Sequence, residues 1–139
     1  MASTASVDAA VIAKLANDAT LTSLAPGGVY REVAPQGISN PYVIISPMSH
    51  QDDYSIGSQA FEELRYLVKG VDLSTSGSTV QTVANRIHVL LQNAVLTITD
   101  YKCLLVQREE RIAYVEVDDD SDRRYQHRGG LYFVLVEPT

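Results

Sequence analysis

The 139-residue sequence has a single cysteine, Cys103, so no internal disulfide can form, which excludes the disulfide-stapled scaffolds of small secreted proteins. Within "YKCLLV" that cysteine reads as a small buried apolar residue. Lysine is scarce too, at three residues, and the arginines are mixed with acids in a chain of net charge −6. Tight wrapping of nucleic acid needs clustered cations, and this balance argues against it. No apolar run approaches the roughly 20 residues that cross a bilayer. The N-terminal "MASTASVDAAVIAK" has neither the basic start nor the continuous apolar stretch of a signal peptide. These absences predict a soluble protein made in a cytoplasm, with no membrane partner. The length predicts one domain, residues 1–139, large enough to bury an ordinary core unaided by disulfide or metal.

Turn and cap signals divide what is there. Ser6 reads as a helix N-cap with Asp8 in the first turn, and Val7, Val11 and Leu15 recur at helical spacing. Asp18 caps a further short turn. "APGG" (25–28) reads as a type II turn with Gly27 third, "VYREV" as a short strand, and "APQG" (34–37) as a second turn. Pro41 opens the β-branched strand "PYVIIS", and Pro47 ends it. Residues 47–60 have no convincing period and are expected to form a long loop, functional or disordered. Residues 61–72 alternate, with Leu64, Tyr66 and Val68 on one face and Glu63, Arg65 and Lys69 on the other. The serines of "STSGS" cap the clearest helix, whose stripe is Val80, Val83, Ala84, Ile87, Leu90, Leu91 and Ala94. "YKCLLVQ", "RIAYVEV" and "GLYFVLVE" follow as strands.

This order predicts an α+β fold: a mainly antiparallel sheet of five or six strands with two principal helices on one face. Strands 42–46, 103–106 and 131–136 are apolar at consecutive positions, so both of their faces call for burial. Two helices about 10 Å apart cover one face of a sheet roughly 29 Å wide. A partner subunit is the simplest cover for the other.

Chemistry is sparse. Asp118, Asp120 and Asp122 match the opening of an EF-hand calcium loop, but Arg123 and Gly129 stand where that loop needs glycine and glutamate. Arg123 and Arg124 can neutralise the acids, so residues 118–128 read as a hairpin loop, with Gly129 and Gly130 giving conformational freedom where its second strand begins. His50, His88 and His127 show no metal-binding spacing, and His88 falls on the border of its helix stripe. His50 beside Asp52 and Asp53 is the minimum for acid–base work and supports only a third reading, a small hydrolase. "GVDLSTSGST" lacks the P-loop lysine and spacing, and no G-x-S-x-G elbow occurs. No cofactor, metal or catalytic residue is assigned, and the chain is not read as an enzyme.

At "GGVYREVAPQGISNPYVIIS" the chain resembles the tail-completion or tail-terminator proteins of long-tailed bacteriophages. The matching stretches are 29–35, 41–46, 53–57, 61–71, 80–91 and 125–136, and the acidic run 118–122 departs from the pattern. The resemblance implies a structural virion protein, made in the host cytoplasm and placed at the head-proximal end of the tail. It implies a ring, usually hexameric, that caps the tail tube, ends its growth and joins tail to head. The implied partners are further copies of the chain, the tail tube protein and head–tail connector proteins, with DNA only as passing cargo. His50, Asp52, Asp53, Tyr54, Asp118, Asp119, Asp120, Asp122, Arg123, Arg124 and Arg128 are the candidate interface or lumen residues. A second reading keeps a non-enzymatic binding or assembly domain with residues 47–60 as its recognition loop.

Overall fold

Ser3, rather than Ser6, caps the first helix, its hydroxyl accepting from the Ala5 backbone N–H at 3.3 Å. In the computed structural model, which describes residues 3–118 and 123–139, this helix is α1 (Thr4–Ala16). Asp8 thus lies more than a turn inside the helix, where it is buried. Asp18 caps α2 (Ala19–Leu24) as expected, accepting from Leu21 N–H at 2.8 Å. There follow β1 (Val29–Arg31), β2 (Tyr42–Ser55), β3 (Ser58–Leu73), α3 (Ser78–Leu91), β4 (Thr97–Ile98), β5 (Tyr101–Asp118) and β6 (Arg123–Pro138). The six strands lie in the order β1-β2-β3-β6-β5-β4. β1 runs parallel to β2, and every other neighbouring pair is antiparallel. Among the described residues no helix is long and apolar enough to cross a membrane.

The stretch 47–60 is not a loop. Pro47 has no N–H for the ladder, and the register shifts between Pro47 and Ser49, after which β2 resumes. Its hairpin with β3 turns at Gly57, whose φ of 78° suits glycine. No period shows in this sequence because the end of the hairpin stands clear of the core. Met48, Tyr54 and Ile56 are all exposed, so nothing selects one apolar face.

The remaining differences have similar local causes. "YKCLLVQ" and "RIAYVEV" belong to one strand, β5, whose register slips between Arg108 and Glu110. Gly77, without a side-chain bond, replaces the serines as the cap of α3. The positive φ after Pro26 falls on Gly28, not Gly27. β6 begins at Arg123, so Arg123, Arg124 and Arg128 are strand residues and Gly129 sits mid-strand between Lys69 and Ile112. A Cβ on Gly129 would lie 2.0 Å from the Val68 carbonyl oxygen, so close strand approach, rather than turn freedom, requires this glycine. Asp119, Asp120 and Asp122 lie outside the described residues.

One hydrophobic core forms where the helices meet the sheet. Val7, Val11 and Leu15 of α1, Leu21 of α2 and Val83, Ile87 and Leu91 of α3 pack with Val43, Ile45, Leu64, Tyr66, Val68, Val106, Tyr132, Val134 and Val136. Each such side chain contributes about 1.5–3 kcal/mol on burial. Leu64, Tyr66 and Val68 are buried together, as their alternation requires, and Cys103 is buried at the margin of the core. The helix α3 approaches β3 so closely that a Cβ on Gly70 would lie 2.8 Å from Val83 Cγ1.

Candidate assembly surfaces

Three surfaces could bind another macromolecule. The first is the sheet face turned away from the core. Register and alternation place Leu67, Leu131, Phe133, Leu135 and Leu105 together there. All five are half-buried, and none joins the helix-backed core. Arg65 lies over the Phe133 ring at 5.0 Å from its centroid and pairs with Glu109 at 2.8 Å, so charge rims an apolar stripe.

The second surface is the β2–β3 arm. Here His50 and Asp52 share a face, whereas Asp53 points to the other face and meets Glu63. The His50 partner is not an adjacent aspartate but buried Glu62, which the ring contacts through Nε2, while Nδ1 lies 2.8 Å from Thr4 Oγ1. Asp52 Oδ1 is more distant, at 3.8 Å from Nε2. Tyr101 donates to Glu62, and burial followed by that carboxylate pushes the phenol well above its usual range. Among the described residues, His50, Asp52 and Glu62 have ligand atoms within 4.8 Å of one another and form a group that could hold a metal ion. Within that group His50 already contacts Thr4 and Glu62, and Glu62 also accepts from Tyr101. On the opposite face, Asp53 pushes the Glu63 carboxyl above its ordinary value, a sign of like charges held together.

The third surface is the β5–β6 arm, which leaves the other end of the sheet. The Tyr114 ring stacks on His127 with centroids 4.4 Å apart, and the Lys69 ammonium donates to the Tyr114 hydroxyl at 2.5 Å. His127 Nε2 lies 3.1 Å from Glu116, while burial and then Lys69 push the imidazole below its usual range. Farther out, Val115 and Val117 are half-exposed, and Arg123 and Arg124 are exposed. Arg123 also borders an open groove with the "APQG" turn.

Arg128 does not join the hairpin charges. Its guanidinium donates to Gln81 Oε1 at 2.9 Å across a cleft of about 400 Å³ between α3 and the two strands. Arg108 and Arg111 line the same cleft with His88, and none of its lining residues is acidic. Burial, followed by Arg108 and Arg111, pushes His88 below its usual range. His88 faces Tyr132 at 3.2 Å, consistent with the border position expected for it.

A model of the family described as Tail completion protein gp17 matches residues 9–136. The chain belongs to the tail completion protein family. The resemblance seen in "GGVYREVAPQGISNPYVIIS" is thereby borne out. No curated protein matches this family member. Among solved structures, a chain from the virion of a native gene transfer agent particle superposes with a TM-score of 0.76 at 20% identity, covering 97% of this chain and 99% of that one. A second solved chain gives a TM-score of 0.63 at 15% identity over 97% of this chain and 96% of its own. At these identities the two likenesses show a shared fold.

Of the residues singled out in this tail completion chain, His50, Asp52, Asp53 and Tyr54 all fall on the β2–β3 arm, split between its faces. Asp118, Arg123 and Arg124 fall at the far end of the β5–β6 arm, and Arg128 lies in the arginine cleft. Sequence reasoning missed Glu62, Tyr101, Arg108 and Arg111. Glu62 carried a signal: it sits at an inward position of the alternation that runs through Leu64, Tyr66 and Val68. An acid on a buried face needs a partner. The arginines lay within "QREER", where mixed charge concealed them.

Proposed function

We propose that this chain is a structural, non-enzymatic virion protein that forms a closed hexameric ring, capping the tail tube, ending its growth and joining tail to head. Family membership over residues 9–136 carries the reading. Its supporting physical feature is a chain built to continue into neighbours. The apolar stripe of Leu67, Leu131, Phe133, Leu135 and Leu105 lies outside the core. β1 pairs with β2 only at Val43, Ile44 and Ile45, and β4 with β5 only at Tyr101 and Lys102. Beyond those positions β2 and β5 have no further strand beside them among the described residues. Such edges invite pairing with another chain.

On this reading the two arms, with His50, Asp52, Asp53 and Tyr54 on one and Asp118, Arg123 and Arg124 on the other, meet neighbouring subunits, the tail tube or the lumen, and Asp119, Asp120 and Asp122, outside the described residues, are proposed for the same role. Partners are further copies, the tube protein and head–tail connector proteins, and DNA is passing cargo that an acidic wall would repel. The protein acts at the head-proximal end of the tail after synthesis in the host cytoplasm. Sedimentation of the full chain alone and with purified tail tubes, followed by negative-stain imaging, tests this. Rings with a central hole at tube ends are the expected result. A chain that neither self-associates nor co-sediments with tubes or virions refutes it.

A further inference from the structure

The arginine cleft is the strongest feature the fold and its family do not explain. Arg108, Arg111 and Arg128 converge between α3 and β5–β6 with no acidic residue in the lining, in a chain whose net charge is −6. The adjacent acids do not fill it. Glu109 is held by Arg65 on the other side of the sheet. Guanidinium groups gathered in this way favour planar anions, which they bind through paired N–H donors.

We propose that this cleft receives the carboxylates of the β2–β3 arm of a second copy of the chain. The inference rests on the ring reading and names one of its contacts. The arm carries the complementary charge: Asp52 lies on one face, with Asp53 and Glu63 pressed together on the other. A cation brought to that pair relieves the repulsion that raises Glu63. Tyr54 and Ile56, exposed near the turn, add apolar area beside the charges.

One chain cannot make this contact with itself. The acids lie where β3 residues Glu62 and Glu63 pair with Val136 and Leu135, whereas the cleft lies where Lys69 and Gly70 pair with Gly129 and Arg128. Seven residues of strand separate the two levels, roughly 23 Å at about 3.3 Å per residue. They also lie toward opposite sides of the sheet, one at β2 and the other at β5. Joining two different patches of identical chains is a heterologous contact, and repeated rotation through it closes a ring.

Charge reversal in the full chain, incubated with tail tubes, tests the contact. Arg111 is exposed and Asp53 lies on the arm, so neither change reaches the core. Arg111→Asp alone and Asp53→Arg alone are each expected to lower assembly roughly tenfold or more, as truncating close charge pairs does at other interfaces. The double variant is expected to recover most of it, with melting temperatures unchanged throughout. Wild-type assembly by both single variants overturns this inference and leaves the ring standing. Failure of the wild-type chain to assemble at all removes both. Unchanged assembly, with short single-stranded DNA binding lost in Arg111→Asp, assigns the cleft to phosphate and also overturns the inference.

Discussion

The Tyr66 hydroxyl donates to Asp8 Oδ1 at 2.5 Å inside the core, tying the middle of β3 to α1. Arg31 of β1 reaches the other carboxylate oxygen at 2.8 Å, so one buried acid joins three elements. Burial, and then Asp8, push the phenol far above its usual range. Tyr66→Phe keeps the ring but removes a bond to a charged acceptor, and should cost about 1.5–3 kcal/mol in urea unfolding. Asp8→Ala should cost more, because it also leaves the tyrosine hydroxyl buried without its acceptor. Equal stability of Tyr66→Phe and wild type would show that the bond contributes nothing net.

Close contact between α3 and β3 gives a second expectation. Gly70→Ala would set a methyl group 2.8 Å from Val83 Cγ1, and should destabilise by about 1–3 kcal/mol through overpacking. Adding Val83→Ala removes the obstructing methyls, so the double variant should lose less than the sum of the two single losses. Additive losses in that cycle would mean that the two residues do not couple.

Much of this architecture was legible in the sequence, and the misses share a cause. The core strands and α3 showed themselves because a buried face imposes a period, as at Leu64, Tyr66 and Val68 or Val80, Val83 and Ile87. Arms that leave the core lose that constraint, so residues 47–60 resembled a loop and the charged start of β6 resembled a turn. The candidate site was legible only as a set of residue types. Pairing of His50 with Glu62 depends on a hairpin register that the aperiodic stretch did not disclose.

That pairing bears on metal dependence. His50 contacts Thr4 and Glu62, and Tyr101 donates to Glu62 from a separate strand, so the carboxylate has two protein partners of its own. EDTA should leave the melting temperature unchanged, whereas His50→Ala should lower it by leaving a buried carboxylate short of its nearest basic partner. A fall of several degrees on chelation would assign a structural metal to this group.

Acid should weaken the fold in two separate windows. His127 and His88 titrate below the ordinary 6.5 when folded, mainly because burial disfavours their charged forms. The unfolded chain therefore takes up protons first, so their contribution is complete above 6.5 and declines as pH falls below it. His127→Phe should flatten stability against pH just below 6.5 while keeping the stack on Tyr114. Asp18 moves the opposite way, from 3.8 to about 2, chiefly through Arg86 and then the Leu21 N–H. Its stabilisation is present above 3.8 and disappears as pH falls toward 2, so Arg86→Ala should raise the midpoint of acid unfolding. An unchanged midpoint would deny the Asp18–Arg86 pair any net effect.

The outer sheet face offers the sharpest separation of folding from assembly. Phe133 and Leu135 alternate with Tyr132, Val134 and Val136, so polar replacements on their side leave the helix-backed core untouched. Within the isolated chain Phe133 has Arg65 over its ring, a contact worth about 0.5–1 kcal/mol where exposed, together with the partial burial of its own surface. Phe133→Gln with Leu135→Gln should therefore lower the melting temperature by only a few degrees. If this face meets a neighbour, the same pair of changes should abolish ring formation and co-sedimentation with tail tubes, because each lost apolar contact recurs at every subunit boundary. Analytical ultracentrifugation of the variant with and without tubes provides the measurement. Full assembly by a variant with a polar outer face would exclude this surface from the interface and leave the strand edges and arms to form it.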